Sequence, residues 1–365
     1  MGYTNYAQIT IDHTKVGGSD LTDFKLLVYG TYSQFATTGN GGYATSASGF
    51  DIIAAADGPG VTTYDFERVS WNGTTGVSAF WIRVPTLSHT VDTVIYMPIG
   101  NSAITTDQQN SSGVWTGGSS NAFGGVWHFA EGGSGAVTII DSTGASNGFW
   151  NSNAGAYTTG MTAPNAGSFT GSNSADLNDT GYSPTASISF GAWVKLGQLS
   201  SVQRVIAKWD GSHTWLLEVG SGNTWNGYVN APGQGTVAAS SSTGVDQTNW
   251  HRTIVTYDGS LIRLYVDGSQ VATHVQTGAI STNSHAILAG INEGLTTYLK
   301  GTMQDLFVVS GVLSADWVTA DYANSNSPST FYSISFAANP PSGIFIVNPG
   351  MDGGMHPQMK GGING

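Results

Sequence analysis

The 365-residue chain contains no cysteine. That excludes disulfides, thiolate metal sites and a cysteine nucleophile. Charge is scarce: Asp, Glu, Lys and Arg make up 9% of residues, against roughly 25% in an ordinary soluble domain. The 11 Lys and Arg are scattered between Lys15 and Lys360, and formal net charge is −12. No basic patch forms, so nucleic acid is not a partner. No apolar run approaches the roughly 20 residues of a membrane helix, and no membrane insertion is expected. The N-terminus, MGYTNYAQITID, carries neither a basic n-region nor an apolar h-region. Either a leader has been replaced or the protein leaves the cell without one, as virion proteins do on host lysis.

Catalytic patterns are also missing. The four glutamates, Glu67, Glu131, Glu218 and Glu293, lie more than sixty residues apart. Glycoside hydrolysis needs two carboxylates across one bond, and the nearest pairing is Asp65 with Glu67, which reads as a solvated strand face. There is no G-x-S-x-G elbow, no metal-spaced histidine pair and no phosphate loop. His128 and His251 each adjoin a tryptophan within a strand and read as satisfied structural histidines. A non-enzymatic protein is expected, with a glycoside hydrolase the disfavoured alternative.

What is abundant is Gly, Ser, Thr and Asn, the composition of short strands and many turns. The clearest segment is Trp250–Val275, WHRTIVTYDGSLIRLYVDGSQVATHV. Its two Asp-Gly pairs, Asp258-Gly259 and Asp267-Gly268, are strong hairpin signals because both residues tolerate positive φ. Between them Ile262, Leu264 and Val266 share one face and Leu261, Arg263 and Tyr265 the other, which is period-2 patterning. Earlier runs repeat the alternation: Ile9 and Ile11, then Phe24, Leu26 and Val28, and later Ile188, Phe190, Ala192 and Val194. SADWVTADY is the single helix pattern, with Ser314 as its N-cap.

The order and spacing of the meander, with Trp-His opening one strand and Leu-Tyr-Val-Asp-Gly closing another, resemble the laminin-G-like branch of the concanavalin A-like jelly rolls. The Trp127-His128-Phe129 strand, the Asp141-Ser142-Thr143-Gly144 turn and the closing GTMQDLFVVSGVLSADWVTADYAN extend the resemblance over residues 125–332. Residues 1–112 are similar to an uncharacterised β-domain family that often precedes such jelly rolls, on Leu21-Thr22-Asp23-Phe24, Gly49-Phe50-Asp51-Ile52, Trp81 to Pro85 and Gly100-Asn101. The expected fold is all-β: an N-terminal β-sandwich (1–112), a linker (113–124), a concanavalin A-like jelly roll (125–332) and an extended C-terminal arm (333–365).

The jelly-roll resemblance implies glycan or cell-surface binding, and a calcium ion at the sandwich rim, with Asp141, Asp305, Asn292 and Glu293 as the candidate ligands. Leu306 stands where the family carries a second acid. Sugar binding needs an aromatic face flanked by hydrogen-bonding groups, and Trp209, Trp225 and Asn226 fall in one hairpin-like run that offers both. In the tail, Ile344, Phe345, Ile346 and Val347 form an apolar stretch that needs a partner, either its own domain or a sheet edge of another subunit. Together these lead to the expectation of an extracellular or virion-surface protein: a bacteriophage structural, decoration or fibre protein displaying a lectin-like domain, bound to other subunits through its arm. The alternative is a secreted or surface-displayed bacterial carbohydrate-binding protein.

Overall fold

The computed structural model describes residues 2–118, 123–133, 137–151, 156–209, 213–234, 237–291 and 297–339. It is built almost wholly of antiparallel strands, as expected. The α-helix Ala315–Asn326 starts where the sequence placed it: Ser314 is the N-cap and its hydroxyl accepts from the Trp317 amide at 3.1 Å.

The first sandwich pairs a five-stranded sheet with a three-stranded one. The smaller sheet holds Leu21–Thr31, Val77–Leu87 and Phe66–Trp71. The larger runs Tyr332–Ala338, Asn5–Ile11, Thr93–Ile99, Ala54–Ala55, Thr63–Tyr64. Its first strand comes from the far end of the chain. Ile9 faces Ile334 and Ile11 faces Tyr332 in an antiparallel ladder of seven residue pairs. The region expected to begin a free arm at Ser333 therefore starts as an integral strand, because Ile334 and Phe336 alternate toward the first core. The linker expectation changes too. Ser111–Trp115 forms a short helix capped by Asn110, and Val114 and Trp115 are buried. Topologically, the second domain is an insertion within the first. Ile344, Phe345, Ile346 and Val347 lie outside the described residues.

The second domain is the expected jelly roll. One eight-stranded sheet runs Ala238–Ser241, Trp225–Val229, Trp215–Val219, Gln203–Lys208, Leu288–Ala289, Ser174–Asp176, Gly148–Asn151, Thr138–Ile139. The facing sheet contains the meander His251–Tyr257, Leu261–Val266 and Ser269–Val275. Both Asp-Gly turns form, with Gly259 at φ +89° and Gly268 at φ +78°, values only glycine adopts freely. Ile262, Leu264 and Val266 enter the core between the two sheets, as the alternation required.

The other face of that sheet is covered over its central strands, while its edge strand Ser269–Val275 is largely exposed. Ile254, Tyr265, Phe307 and Val309 join Phe24, Trp81 and Trp317 in the first domain's core. The helix Ala315–Asn326 lies in this seam, and the Asn324 amide bonds both backbone groups of Leu27, at 2.7 and 3.0 Å. This cover explains why Leu21–Thr31 is buried on both faces where period-2 reasoning gave it one. The two domains are packed through a continuous apolar core.

Candidate functional site

Two places on the molecule gather polar and aromatic side chains. The first is the outer face of the eight-stranded sheet. Strand alternation sends Trp215, Leu217, Val219, Trp225 and Val229 inward. It sends Leu216, Glu218, Asn226 and Tyr228 outward. Register aligns Arg204, Glu218, Asn226 and Ser240 across four neighbouring strands. Asn226 Nδ2 donates to Glu218 Oε1 at 2.9 Å, the Tyr228 hydroxyl donates to the same oxygen at 3.2 Å, and Arg204 pairs with Glu218. Beside this row the Trp209 ring stacks on His213, centroids 4.2 Å apart and 8° from parallel, with Tyr228 at 5.4 Å. The result is an aromatic patch flanked by a carboxylate, a guanidinium and an amide.

The sequence candidates divide here. Asn226 and Trp209 lie on this face but are only 8% and 9% exposed, Trp209 beneath the His213 ring. Trp225 is wholly buried in the core between the sheets, with its indole N–H directed to the Gly244 carbonyl at 3.4 Å. It has no face to offer a ligand. Tyr228, two positions beyond Asn226 and therefore on the same face, is the partly exposed aromatic that the sequence reading passed over. Glu218 and Arg204 were also missed, although the i, i+2 rule was enough to group Asn226 with Tyr228.

The second place is the seam between the domains. His128 is 4% exposed and held between two carboxylates. Its Nδ1 donates to Asp305 at 2.6 Å, and its Nε2 faces Glu67 at 3.3 Å. Glu67, from the first domain, also accepts from the Trp115 indole and from the Ser142 hydroxyl, each at 2.6 Å. Thr162 donates to the other Asp305 oxygen. Burial alone would lower the His128 pKa, but the Glu67 charge and the Asp305 hydrogen bond outweigh it and push it up to about 10. Burial would raise Glu67, but the His128 charge and the hydrogen bonds hold it below the usual carboxylate value. Both stay ionised at neutral pH. Trp81 stacks on the imidazole at 5.9 Å. Deeper in the seam, Arg252 reaches Asp321 at 2.8 Å and the Asp305 carbonyl at 2.8 Å. Lys25 is 2% exposed and its Nζ has no hydrogen-bond partner; burial pushes its pKa down to about 8.

Above Glu67 and His128 the seam opens into a cleft of about 320 Å³. Arg68 and Gln109 of the first domain form one wall, and Glu131, Ile140 and Ser142 of the second form the other. The Asp65–Glu67 pairing suggested by sequence does not form. Asp65 bonds Arg83 and Asn110, while Glu67, read as solvated, is buried in the seam. His128 and His251 are satisfied by carboxylates, the latter by Asp267 at 2.7 Å and Asp246 at 3.2 Å.

The calcium ligands suggested by resemblance have other work. Asp141 accepts from the amides of Val126, Thr143, Ala145 and Ser146 and from the Thr143 hydroxyl. It closes its own turn, and a cation there would have to displace those donors. Asp305 is committed to His128 and Thr162. Asp141 and Asp305 are 3% and 4% exposed and their oxygens already accept from protein donors, so a cation could reach either carboxylate only by displacing those bonds. Asn292 and Glu293 lie outside the described residues. Among the described residues the one group of three His, Asp or Glu side chains with closely spaced ligand atoms is Asp12, His13 and Asp92, elsewhere in the fold. No helix among the described residues is long and apolar enough to cross a membrane.

Residues 169–319 match the family model of the concanavalin A-like lectin/glucanases superfamily. No curated protein matches the chain. Among solved structures it is similar to domain 4 of AbnA, a GH43 extracellular arabinanase from Geobacillus stearothermophilus, in complex with arabinotriose. Identity there is 20% and TM-score 0.42, over 56% of this chain and 100% of that one. It is also similar to the receptor-binding domain of botulinum neurotoxin D, at 15% identity and TM-score 0.41, and to the binding domain of Paraclostridial Mosquitocidal Protein 1, at 11% and 0.44. The match spans about half the length of each toxin domain, 52% and 51%. The laminin-G-like, lectin-like jelly roll expected from sequence is what the family model and the strand order show.

Proposed function

We propose that this chain is a non-enzymatic adhesion protein whose jelly roll binds glycans on the outer face of its eight-stranded sheet. The observation that carries the reading is the juxtaposition of Tyr228 and the Trp209–His213 stack with the in-register row Arg204, Glu218 and Asn226. Saccharide recognition asks for this combination: an aromatic surface for the C–H face of a pyranose and fixed polar groups for its hydroxyls. Binding is favoured over hydrolysis because Glu218 is already engaged by Arg204, Asn226 and Tyr228. Among the described residues, no second carboxylate is bonded to Glu218 or its partners Asn226 and Tyr228.

The setting we favour is the surface of a bacteriophage particle, with the segment Ile344–Val347 joining the protein to neighbouring subunits. The absence of cysteine, the sparse charge and the apolar tail support it. A bacterial surface protein is the alternative setting, and it uses the same binding face.

The test is a glycan array probed with the full-length protein and with Tyr228→Ala. Tyr228 is a partly exposed strand residue outside the main core, so its truncation leaves the fold intact. The expected outcome is binding to a defined set of glycans, weakened about tenfold or more by the substitution, which corresponds to roughly 1.4 kcal/mol. Glycan binding that is unaffected by Tyr228→Ala and by Glu218→Gln would remove this face from consideration.

A further inference from the structure

We infer that the cleft between the two domains is a second ligand site, separate from the outer sheet face, and that it takes a neutral saccharide. Its volume of about 320 Å³ lies at the small end of the range for small-molecule sites, roughly 300–1,000 Å³. It exists only because the domains pack as one body, since Glu67, Arg68 and Gln109 come from one and Glu131, Ile140 and Ser142 from the other.

The chemistry of the walls selects the ligand class. Ile140, 47% exposed, and Val69 give the cleft apolar lining, one from each domain. The Gln109 amide and the carboxylates of Glu67 and Glu131 supply its polar lining. Glu131 accepts from the Ile140 amide at 2.9 Å and from the Tyr157 hydroxyl at 3.2 Å. Each carboxylate oxygen has a further lone pair, which leaves Glu131 free to accept from a ligand hydroxyl. A ligand with one apolar face and several hydroxyl donors fits this lining.

Charge narrows the class further. Glu67 is balanced by His128 and Arg68 by Asp107, at 2.8 Å. Among the described residues both hydrogen-bond partners of Glu131 are neutral, so its negative charge adds to that of the Glu67–His128–Asp305 group behind the cleft floor. An acidic ligand is repelled. A bare cation is not favoured either, because no closely spaced group of three acidic or imidazole ligands lines this cleft among the described residues. The floor is rigid: Glu67 and His128 are fixed by Trp115, Ser142 and Asp305, so little ordering cost remains at binding.

The experiment is NMR titration of the isotope-labelled full-length protein with methyl glycosides of glucose, galactose, mannose and N-acetylglucosamine, with glucuronic acid as the acidic comparison. The expected result is saturable shifts at the Gln109 side-chain amide, the Ile140 methyls and the Ala130 amide for at least one neutral glycoside. Ala130→Trp, which fills the cleft, should abolish them, and Gln109→Ala should weaken binding about tenfold should the tryptophan variant not fold. Tyr228→Ala should leave these shifts in place, so a failed outer-face reading and a failed cleft reading give different patterns. No shift at these three residues with any neutral glycoside, shifts that persist in Ala130→Trp, or tighter binding of glucuronic acid would each overturn the inference.

Discussion

Replacing His128 with glutamine should destabilise the whole protein by several kcal/mol, with a characteristic pH dependence. The imidazolium is buried between Glu67 and Asp305. His128→Gln keeps a hydrogen-bonding side chain but leaves two buried carboxylates without their shared cation. Breaking a buried ion pair from one side costs about 3–5 kcal/mol. The rise in the histidine pKa from 6.5 to about 10 gives a similar ceiling, roughly 5 kcal/mol at about 1.4 kcal/mol per pH unit. The sign follows from proton binding. Above pH 6.5 the unfolded chain has released this proton while the folded chain keeps it. The stabilisation is therefore full below about pH 6.5 and is lost progressively as the pH climbs to about 10. Lys25, with its pKa lowered to about 8, works in the opposite direction above that pH, so the clean window is pH 6.5 to 8. Urea denaturation across that window should show the gap between wild type and His128→Gln narrowing by about 1.4 kcal/mol per pH unit. Glu67→Gln combined with His128→Gln should cost less than the sum of the two single changes. A cost below about 1 kcal/mol at pH 6, or a gap that stays constant across the window, would refute the reasoning.

Lys25→Met should stabilise the protein by about 1–3 kcal/mol, because it replaces a buried ammonium lacking a hydrogen bond with an apolar chain of similar length; a lower midpoint in urea would count against the seam as described. Trp225→Ala should cost about 3–5 kcal/mol, as a fully buried aromatic does, and Tyr228→Ala about 1 kcal/mol or less; equal losses in differential scanning calorimetry would contradict the assignment of faces. A chain ending at Asn339 should melt with the full-length protein, whereas one ending at Tyr332 should melt several degrees lower through loss of the edge strand; identical melting of the two truncations would show that this strand adds nothing. Adding calcium, or removing it with a chelator, should shift the melting temperature by less than about 1 °C, since Asp141 and Asp305 are buried and bonded to protein donors; a larger shift that survives Asp92→Asn, which removes one member of the exposed Asp12–His13–Asp92 group, would count against that reading.

Local rules were enough for much of the fold. The Asp258-Gly259 and Asp267-Gly268 turns, the inward set Ile262, Leu264 and Val266, and the Ser314 cap depend on residues within a few positions of one another, and each appears in the structure. What was illegible depends on partners far along the chain. Glu67 looked solvated because its strand alternates; its burial comes from His128, Ser142 and Trp115, forty-eight to seventy-five positions away. Lys25 and Leu27 looked outward for the same reason, until the helix Ala315–Asn326 covers them. The binding face was half legible. Composition drew attention to the large indole of Trp225, whereas strand parity, applied to Asn226, would have pointed to Tyr228.

The pairing of Asn5–Ile11 with Tyr332–Ala338 has a consequence for how the protein is made. The two strands emerge from the ribosome more than 320 residues apart, a delay on the order of tens of seconds at about 5–20 residues per second. Throughout that interval the first sheet is one strand short, with the backbone edge of Asn5–Ile11 open to any passing strand. The inserted jelly roll is complete by then, so synthesis favours an order in which the later domain folds before the earlier one is finished. Slow translation, or a pause near the end of the message, should lengthen the exposure of that edge and raise the demand for chaperones without changing a single residue of the product.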